Sequence, residues 1–176
     1  MTLSSTIYDL RSTISRGFTL IELLIVIAII GILTAIVSTN LVAARARARD
    51  ARRKGDLQAI SQSLRLYYAD YQHFPSSNSG NIIGCGALAT VCTWGGTAAF
   101  AIGTTTYMGH LPLDPSSTTT ASVTYFYTSA GGDKFALVGA LENASDGDIA
   151  ASQARCANAL NGYTIVPETD YVVCAE

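Results

Sequence analysis

The chain has 176 residues, 49% of them apolar and 14% charged, with a formal net charge of −2. That length holds one domain plus an anchor rather than several domains, and the mean hydropathy of +0.30 argues against a wholly water-soluble chain. The small net charge hides an asymmetry: residues 18–75 carry seven basic and four acidic groups, residues 76–176 two basic and eight acidic. A basic stem and an acidic head can attract one another between copies, or each can simply be solvated.

The first informative stretch is Arg16-Gly17-Phe18-Thr19-Leu20-Ile21-Glu22. An apolar run follows in which Leu23 to Ala44 holds no charged residue. A carboxylate inside a segment suited to lipid costs roughly 2.5–3.5 kcal/mol or more, so Glu22 needs a partner. Cutting the chain after Gly17 would make Phe18 a new N-terminal ammonium. Glu22 would then stand four residues on, on the same helix face.

Residues 17 to 33, Gly-Phe-Thr-Leu-Ile-Glu-Leu-Leu-Ile-Val-Ile-Ala-Ile-Ile-Gly-Ile-Leu, resemble the N-terminal signature of type IV prepilins and type II secretion pseudopilins. The resemblance implies that a prepilin peptidase/methyltransferase cleaves between Gly17 and Phe18 and N-methylates Phe18. It implies a cytoplasmic leader at 1–17, a transmembrane and filament-core helix at 18–44, a continuation of that helix over 45–74, and an extracytoplasmic head at 75–176. The implied function is that of a structural subunit, a pilin or pseudopilin and not an enzyme. It would be stored as a single-pass protein in the bacterial inner membrane and polymerised through its helix into an extracytoplasmic or cell-surface filament. The implied partners are further copies in a helical homopolymer, minor pilins, the inner-membrane assembly platform and the lipid bilayer, with no cofactor. Glu22 would place each incoming subunit by meeting an N-terminal amine. Before cleavage Phe18 offers only an amide N–H, so the cut acts as an assembly switch.

Two other readings of the run stand beside this one. A secretory signal peptide should have an apolar region of 7–15 residues with small residues at the cut; Val42-Ala43-Ala44 mimics such a cut, but the run is too long and holds Glu22. A plain single-pass anchor accounts for everything except Glu22 and the Gly-Phe junction. The charge flanks oppose the implied topology: Arg11 and Arg16 precede the run, and six basic residues follow it within ten positions, a bias that alone would place the head in the cytoplasm.

Neither Gly nor Pro interrupts the chain between Ile32 and Lys54, and Gly55 is the one helix-weakening residue before Pro75. Leu57, Ile60, Leu64, Tyr68 and Tyr71 recur at spacings of three and four, an apolar stripe on one helical face. The pattern predicts a helix from about Phe18 to about Gln72, roughly 80 Å long, ended by His73-Phe74-Pro75 because the residue before proline avoids the helical region. Thr39 stands where relatives of the resembled family often carry a proline, so it keeps an N–H that proline lacks; Gly31 is a weak point. Arg45, Arg47, Arg49, Arg52, Arg53 and Lys54 can be read as a nucleic-acid contact, but no aromatic residues interleave with them for stacking. The alternative is a helix surface that meets lipid headgroups or acidic heads of neighbouring copies.

Residues 76–106 read as loop, rich in Gly, Ser, Thr and Ala. The four cysteines, Cys85, Cys92, Cys156 and Cys174, permit three pairings. The sequence-local pairing Cys85–Cys92 with Cys156–Cys174 is favoured over four free thiols and over a zinc site, since no Cys-x-x-Cys occurs and His73 and His110 are not at ligand spacing. Trp94 is expected to pack on the local disulfide. Leu111-Pro112-Leu113-Asp114-Pro115 resembles the linking segment of secretion-type pilins that precedes their sheet. Strands are predicted from Val123 to Thr128 and from Lys134 to Glu142 around a turn at Ala130-Gly131-Gly132-Asp133, with shorter ones at Tyr163–Val166 and Tyr171–Cys174. The fold class is therefore α+β: a long N-terminal helix against about four antiparallel strands in two layers. Asp133, Asp146 and Asp148 lack the spaced ligands of a calcium loop and read as an acidic turn, and no metal ligand set is assigned. Asn143-Ala144-Ser145 fits a glycosylation sequon. No catalytic constellation emerges from the two histidines or the carboxylates.

Overall fold

The computed structural model describes residues 17–117 and 125–175, and of residues 36–40 the backbone only. The expected leader up to Arg16, the strand start at Val123-Thr124 and the side chain of Thr39 lie outside the described residues. Two compact units are present, Met1–Leu41 and Val42–Glu176.

Helix α1, Leu20–Tyr71, has 52 residues and contributes to both units. In the first unit its apolar side chains, from Leu20 to Leu33, are exposed, and the helical backbone continues through Gly31 and through position 39 without a break. In the second unit Leu57, Ile60, Leu64 and Tyr67 are fully or nearly fully buried. The stripe is thus centred one position away from the predicted Tyr68 and Tyr71, which are only half-buried. The helix also ends differently from the proline-based expectation. Gln72 adopts φ 58° and its amide N–H donates to the Tyr68 carbonyl at 2.8 Å, so a left-handed residue closes the helix three positions ahead of Pro75.

The loop-like stretch 76–106 contains short strands that its composition does not announce. A hairpin of β1 (Ser77–Asn78) and β2 (Asn81–Ile82) comes first. A small three-stranded sheet follows: β3 (Cys85–Gly86) lies parallel to β4 (Phe100–Ile102), and β4 pairs antiparallel with β5 (Thr105–Met108). Gly80 closes the first hairpin with φ 83°, and a Cβ there would lie 2.5 Å from the Phe126 ring, so both the turn and the packing require glycine.

The main sheet has three antiparallel strands in the order β6 (Tyr125–Ala130), β7 (Lys134–Ala140) and β8 (Asp170–Ala175). Gly131 and Gly132 turn the chain between β6 and β7 with φ 65° and 87°. The expectation of four antiparallel strands in one sheet is corrected here. Tyr163–Val166 is not a strand, since the Tyr163 and Val166 backbones serve turns that lead into β8. The two-layer expectation is corrected as well. Phe135, Leu137 and Val173 on one face join Leu57, Ile60, Leu64 and Tyr67 in the main core. Ala136, Val138 and Val172 on the other face pack with Cys156 and Ala159, from a second helix α2 (Asp148–Cys156) and the 3-10 turn after it. Because both faces are covered, β7 after Lys134 reads Phe-Ala-Leu-Val-Gly-Ala, apolar rather than alternating.

Candidate functional site

In the first unit Gly17, Phe18 and Thr19 are non-helical and exposed, and α1 begins at Leu20. Phe18 is 83% exposed. Thr19 caps the helix: its Oγ1 accepts the Glu22 amide N–H at 3.2 Å, and its carbonyl accepts the Leu23 N–H at 3.2 Å. Thr19 and Glu22 are thus spaced as a capping box, three residues apart. Glu22 lies in the first turn, where the helix dipole favours a negative charge. Sequence reading singled out Glu22 and passed over Thr19, although the Thr-x-x-Glu spacing ahead of an apolar run is the signal that finds it. Among the described residues Glu22 makes no ion pair; a peptide-bonded Phe18 carries no ammonium to offer. The Gly17–Phe18 bond therefore sits in exposed, non-helical chain directly before a capped helix. Among the described residues no helix is long and apolar enough to cross a membrane.

In the second unit the basic residues of α1 divide into two groups. Arg53 is buried together with Asp50 and Asp114. Its Nε donates to Asp114 Oδ2 at 2.5 Å, its Nη2 to Asp114 Oδ1 at 3.0 Å and to Ser116 Oγ at 2.9 Å, and its Nη1 to Asp50 Oδ1 at 2.6 Å. Asp50 in turn accepts the backbone N–H groups of Glu142 and Asn143, each at 2.9 Å. Arg49 holds Glu142 through two contacts of 2.7 and 2.5 Å. Lys54 Nζ reaches both Asp146 oxygens at 2.7 Å and Asp148 Oδ2 at 2.8 Å. Stem and head charges thus meet within one chain. Burial opposes the charge on Arg53, yet the hydrogen bonds to Asp114, Asp50 and Glu142 outweigh it and raise its pKa. The hydrogen bond from Arg49, helped by Arg53, lowers the Glu142 carboxyl to about 2. Lys54 holds Asp146 below its ordinary value.

This network gives Asp114 of the Leu-Pro-Leu-Asp-Pro segment a definite task. It fastens the link ahead of the sheet to α1, and its Oδ1 also accepts the Ser116 N–H at 2.8 Å. The acidic turn at Asp146 and Asp148 is occupied by an ammonium, and Asp146 Oδ1 also accepts the Asp148 N–H at 3.0 Å where α2 starts. Asp133 lies apart from both. Among the described residues no group of three or more His, Cys, Asp or Glu is placed to hold a metal. His73 Nδ1 lies 3.0 Å from the Phe74 carbonyl, and His110 is exposed.

Cys85 is bonded to Cys92 and Cys156 to Cys174. Trp94 is buried in the same core as Cys85 and Cys92, and its indole N–H donates to the Gly80 carbonyl at 3.2 Å. Asn143 of the sequon is half-buried between β7 and α2, with Oδ1 3.4 Å from the Ser145 amide.

Residues 13–38 match the family model described as the prokaryotic N-terminal methylation motif. The chain is 38% identical over 65 residues to the type II secretion system core protein G of Escherichia coli, an alignment covering 37% of this chain and 45% of that protein. It is 43% identical over 76 residues to the type IV wide pilus major component PilA4 of Thermus thermophilus, covering 43% and 57%. It is 40% identical over 70 residues to the type IV major pilin protein PilA of Myxococcus xanthus, covering 40% and 31%. No solved structure matches.

The chain thus carries a prokaryotic N-terminal methylation motif at the start of its long helix α1, ahead of an α+β head. Its N-terminal region is similar to those of type II secretion system core protein G and of type IV pilins. The chain spans about half the length, or less, of these relatives.

Proposed function

We propose that the chain is a structural subunit of a type IV filament-like assembly. A prepilin peptidase cuts it between Gly17 and Phe18 and Phe18 is N-methylated. The segment 18–44 then holds it in the inner membrane until copies polymerise through that helix, with the assembly platform and minor pilins as partners. The observation that carries this reading is the exposed Gly17–Phe18 junction, followed by a capped helix with Glu22 in its first turn and exposed apolar side chains beyond it.

The physical steps are simple. The sequence run at 18–44, charge-free after Glu22, exceeds the roughly 20 residues that a bilayer span needs. Cleavage turns an amide N–H into an ammonium. At ~4 Å and an effective dielectric near 20, its attraction to the Glu22 carboxylate is about 4 kcal/mol. Packing of the apolar runs of many copies adds ~25 cal/mol for each Å² removed from water. The resemblance of Leu111-Pro112-Leu113-Asp114-Pro115 favours a type II secretion pseudopilin as the kind of subunit, and the C-terminal pair Cys156–Cys174 favours a pilin.

Electron microscopy of cells producing the chain tests the proposal. The wild type should form filaments. Glu22→Ala should leave the protein in the membrane fraction and remove or sharply reduce them. Normal filaments from Glu22→Ala would sink the assigned role of Glu22, and a membrane protein that never polymerises would leave a plain anchored module.

A further inference from the structure

Six basic residues lie between Arg45 and Lys54, and the fold separates them. Arg49, Arg53 and Lys54 are bound to carboxylates of the same chain. Arg45, Arg47 and Arg52 are exposed, and among the described residues they take part in no ion pair or hydrogen bond. We infer that Arg45, Arg47 and Arg52 form a collar that binds the phosphate groups of anionic lipids at the membrane surface where the apolar run of α1 ends. The inference rests on the membrane-held reading proposed above.

Three observations select a lipid surface over other anions. First, Arg45 follows directly on Ala44, the last residue of the apolar run, so a helix that seats that run in hydrocarbon delivers these arginines to the headgroups. Second, their placement is circumferential. At 100° per residue Arg45 and Arg52 share one side of α1 and Arg47 points to nearly the opposite side. A headgroup layer can surround the helix around Arg45 and Arg47, and Arg52 meets the same layer on the side of α1 away from the head that Arg53 and Lys54 hold, whereas a duplex or a single protein face meets one side. Third, the three span about 10 Å along the axis. That is close to the roughly 5–8 Å depth of one headgroup layer once arginine's flexible reach is included. No aromatic residue interleaves with them for stacking on single-stranded nucleic acid.

The test uses the full chain reconstituted into vesicles of phosphatidylcholine alone or with phosphatidylglycerol, comparing wild type, the triple variant R45Q/R47Q/R52Q, and R65Q as an exposed-arginine control. Retention after alkaline extraction reads membrane insertion. Spin-labelled phosphatidylglycerol and phosphatidylcholine read which lipid is held at the protein. All three proteins should be retained in both vesicle types. Wild type and R65Q should select phosphatidylglycerol, and the triple variant should lose the preference, by up to about fivefold for each arginine replaced. Added salt should weaken the wild-type preference. Equal selectivity in wild type and triple variant, with insertion intact, would overturn the collar alone. Loss of all three proteins on extraction would overturn the membrane-held reading and the collar together. Duplex DNA retained by the wild type and not by the triple variant, without lipid selectivity, would assign the arginines to nucleic acid instead.

Discussion

Arg53 and Asp114 meet across 61 positions of sequence in a buried two-point contact, Nε to Oδ2 at 2.5 Å and Nη2 to Oδ1 at 3.0 Å. A planar guanidinium matches a carboxylate in this way; an ammonium cannot. The contact joins α1 to the segment ahead of the main sheet, and Asp50 extends it to the chain leaving β7. Arg53→Met should therefore strand two buried carboxylates and cost about 3–5 kcal/mol. Arg53→Lys should recover only part of the loss, while Arg53→Met combined with Asp114→Leu should be milder than Arg53→Met alone. Thermal unfolding of the detergent-solubilised chain, followed by near-ultraviolet circular dichroism of the aromatic core, measures all three.

The pH dependence has a defined sign. The folded-state value of Glu142 lies near 2, below the ordinary 4.5, first because Arg49 hydrogen-bonds it and then because Arg53 does. A depressed carboxyl stabilises the fold fully above the unfolded value and loses that contribution as pH falls through the folded one. Stability should thus decline between about pH 4.5 and about pH 2. Glu142→Gln should flatten that part of the profile. The side chain is 33% exposed, so added salt should shrink the difference. A melting-temperature series over this range checks the slope.

The two disulfides should contribute unequally. Cys156–Cys174 closes a loop of 18 residues and Cys85–Cys92 one of 7. On the chain-entropy estimate the longer loop is worth about 3 kcal/mol and the shorter about 2. Cys156 also lies against Ala136, Val138 and Val172 on the sheet face that α2 covers. Cys156→Ala/Cys174→Ala should lower the urea midpoint more than Cys85→Ala/Cys92→Ala. The reverse order would show that the loop 85–92 orders more of the head than its length suggests.

Gly139 faces α1 at close range. A Cβ there would lie 3.0 Å from Leu57 Cδ1 and 3.3 Å from Tyr125 Cδ1. Gly139→Val should overfill the site and cost about 1–3 kcal/mol. Leu57→Ala should cost about 2–5 kcal/mol by leaving a cavity. The double variant should cost less than the two together, because the valine methyls occupy space that Leu57 vacates. Urea unfolding of the two single variants and the double variant measures the difference.

What could be read in advance follows from how local the cause is. The N-terminal methylation motif and the stripe at Leu57, Ile60 and Leu64 are legible because contiguous residues or helical spacing specify them. The β6–β7 hairpin is legible because two adjacent glycines accept positive φ. The ion network is not. Arg53 looks like one member of a basic run, and only folding brings Asp114 and Glu142 to it. Helix α2 hides because Asp146 and Asp148 read as a turn, although Ile149, Ser152 and Cys156 recur at helical spacing and Arg155 lies in the last turn. The fourth strand expected at Tyr163–Val166 fails for a related reason. Tyr163 O–H and Val166 N–H donate to Asp170 Oδ2, at 3.1 and 2.8 Å, and this holds the segment in turns.

Intact-mass and fragment-ion spectrometry of the N-terminus, on protein recovered from producing cells, tests the filament-subunit proposal most directly. The account predicts a polypeptide that begins at Phe18 and carries one added methyl group on its amine. A polypeptide still joined through Gly17 would contradict it, for Glu22 would then have no ammonium to meet and the cut could not act as the switch for assembly.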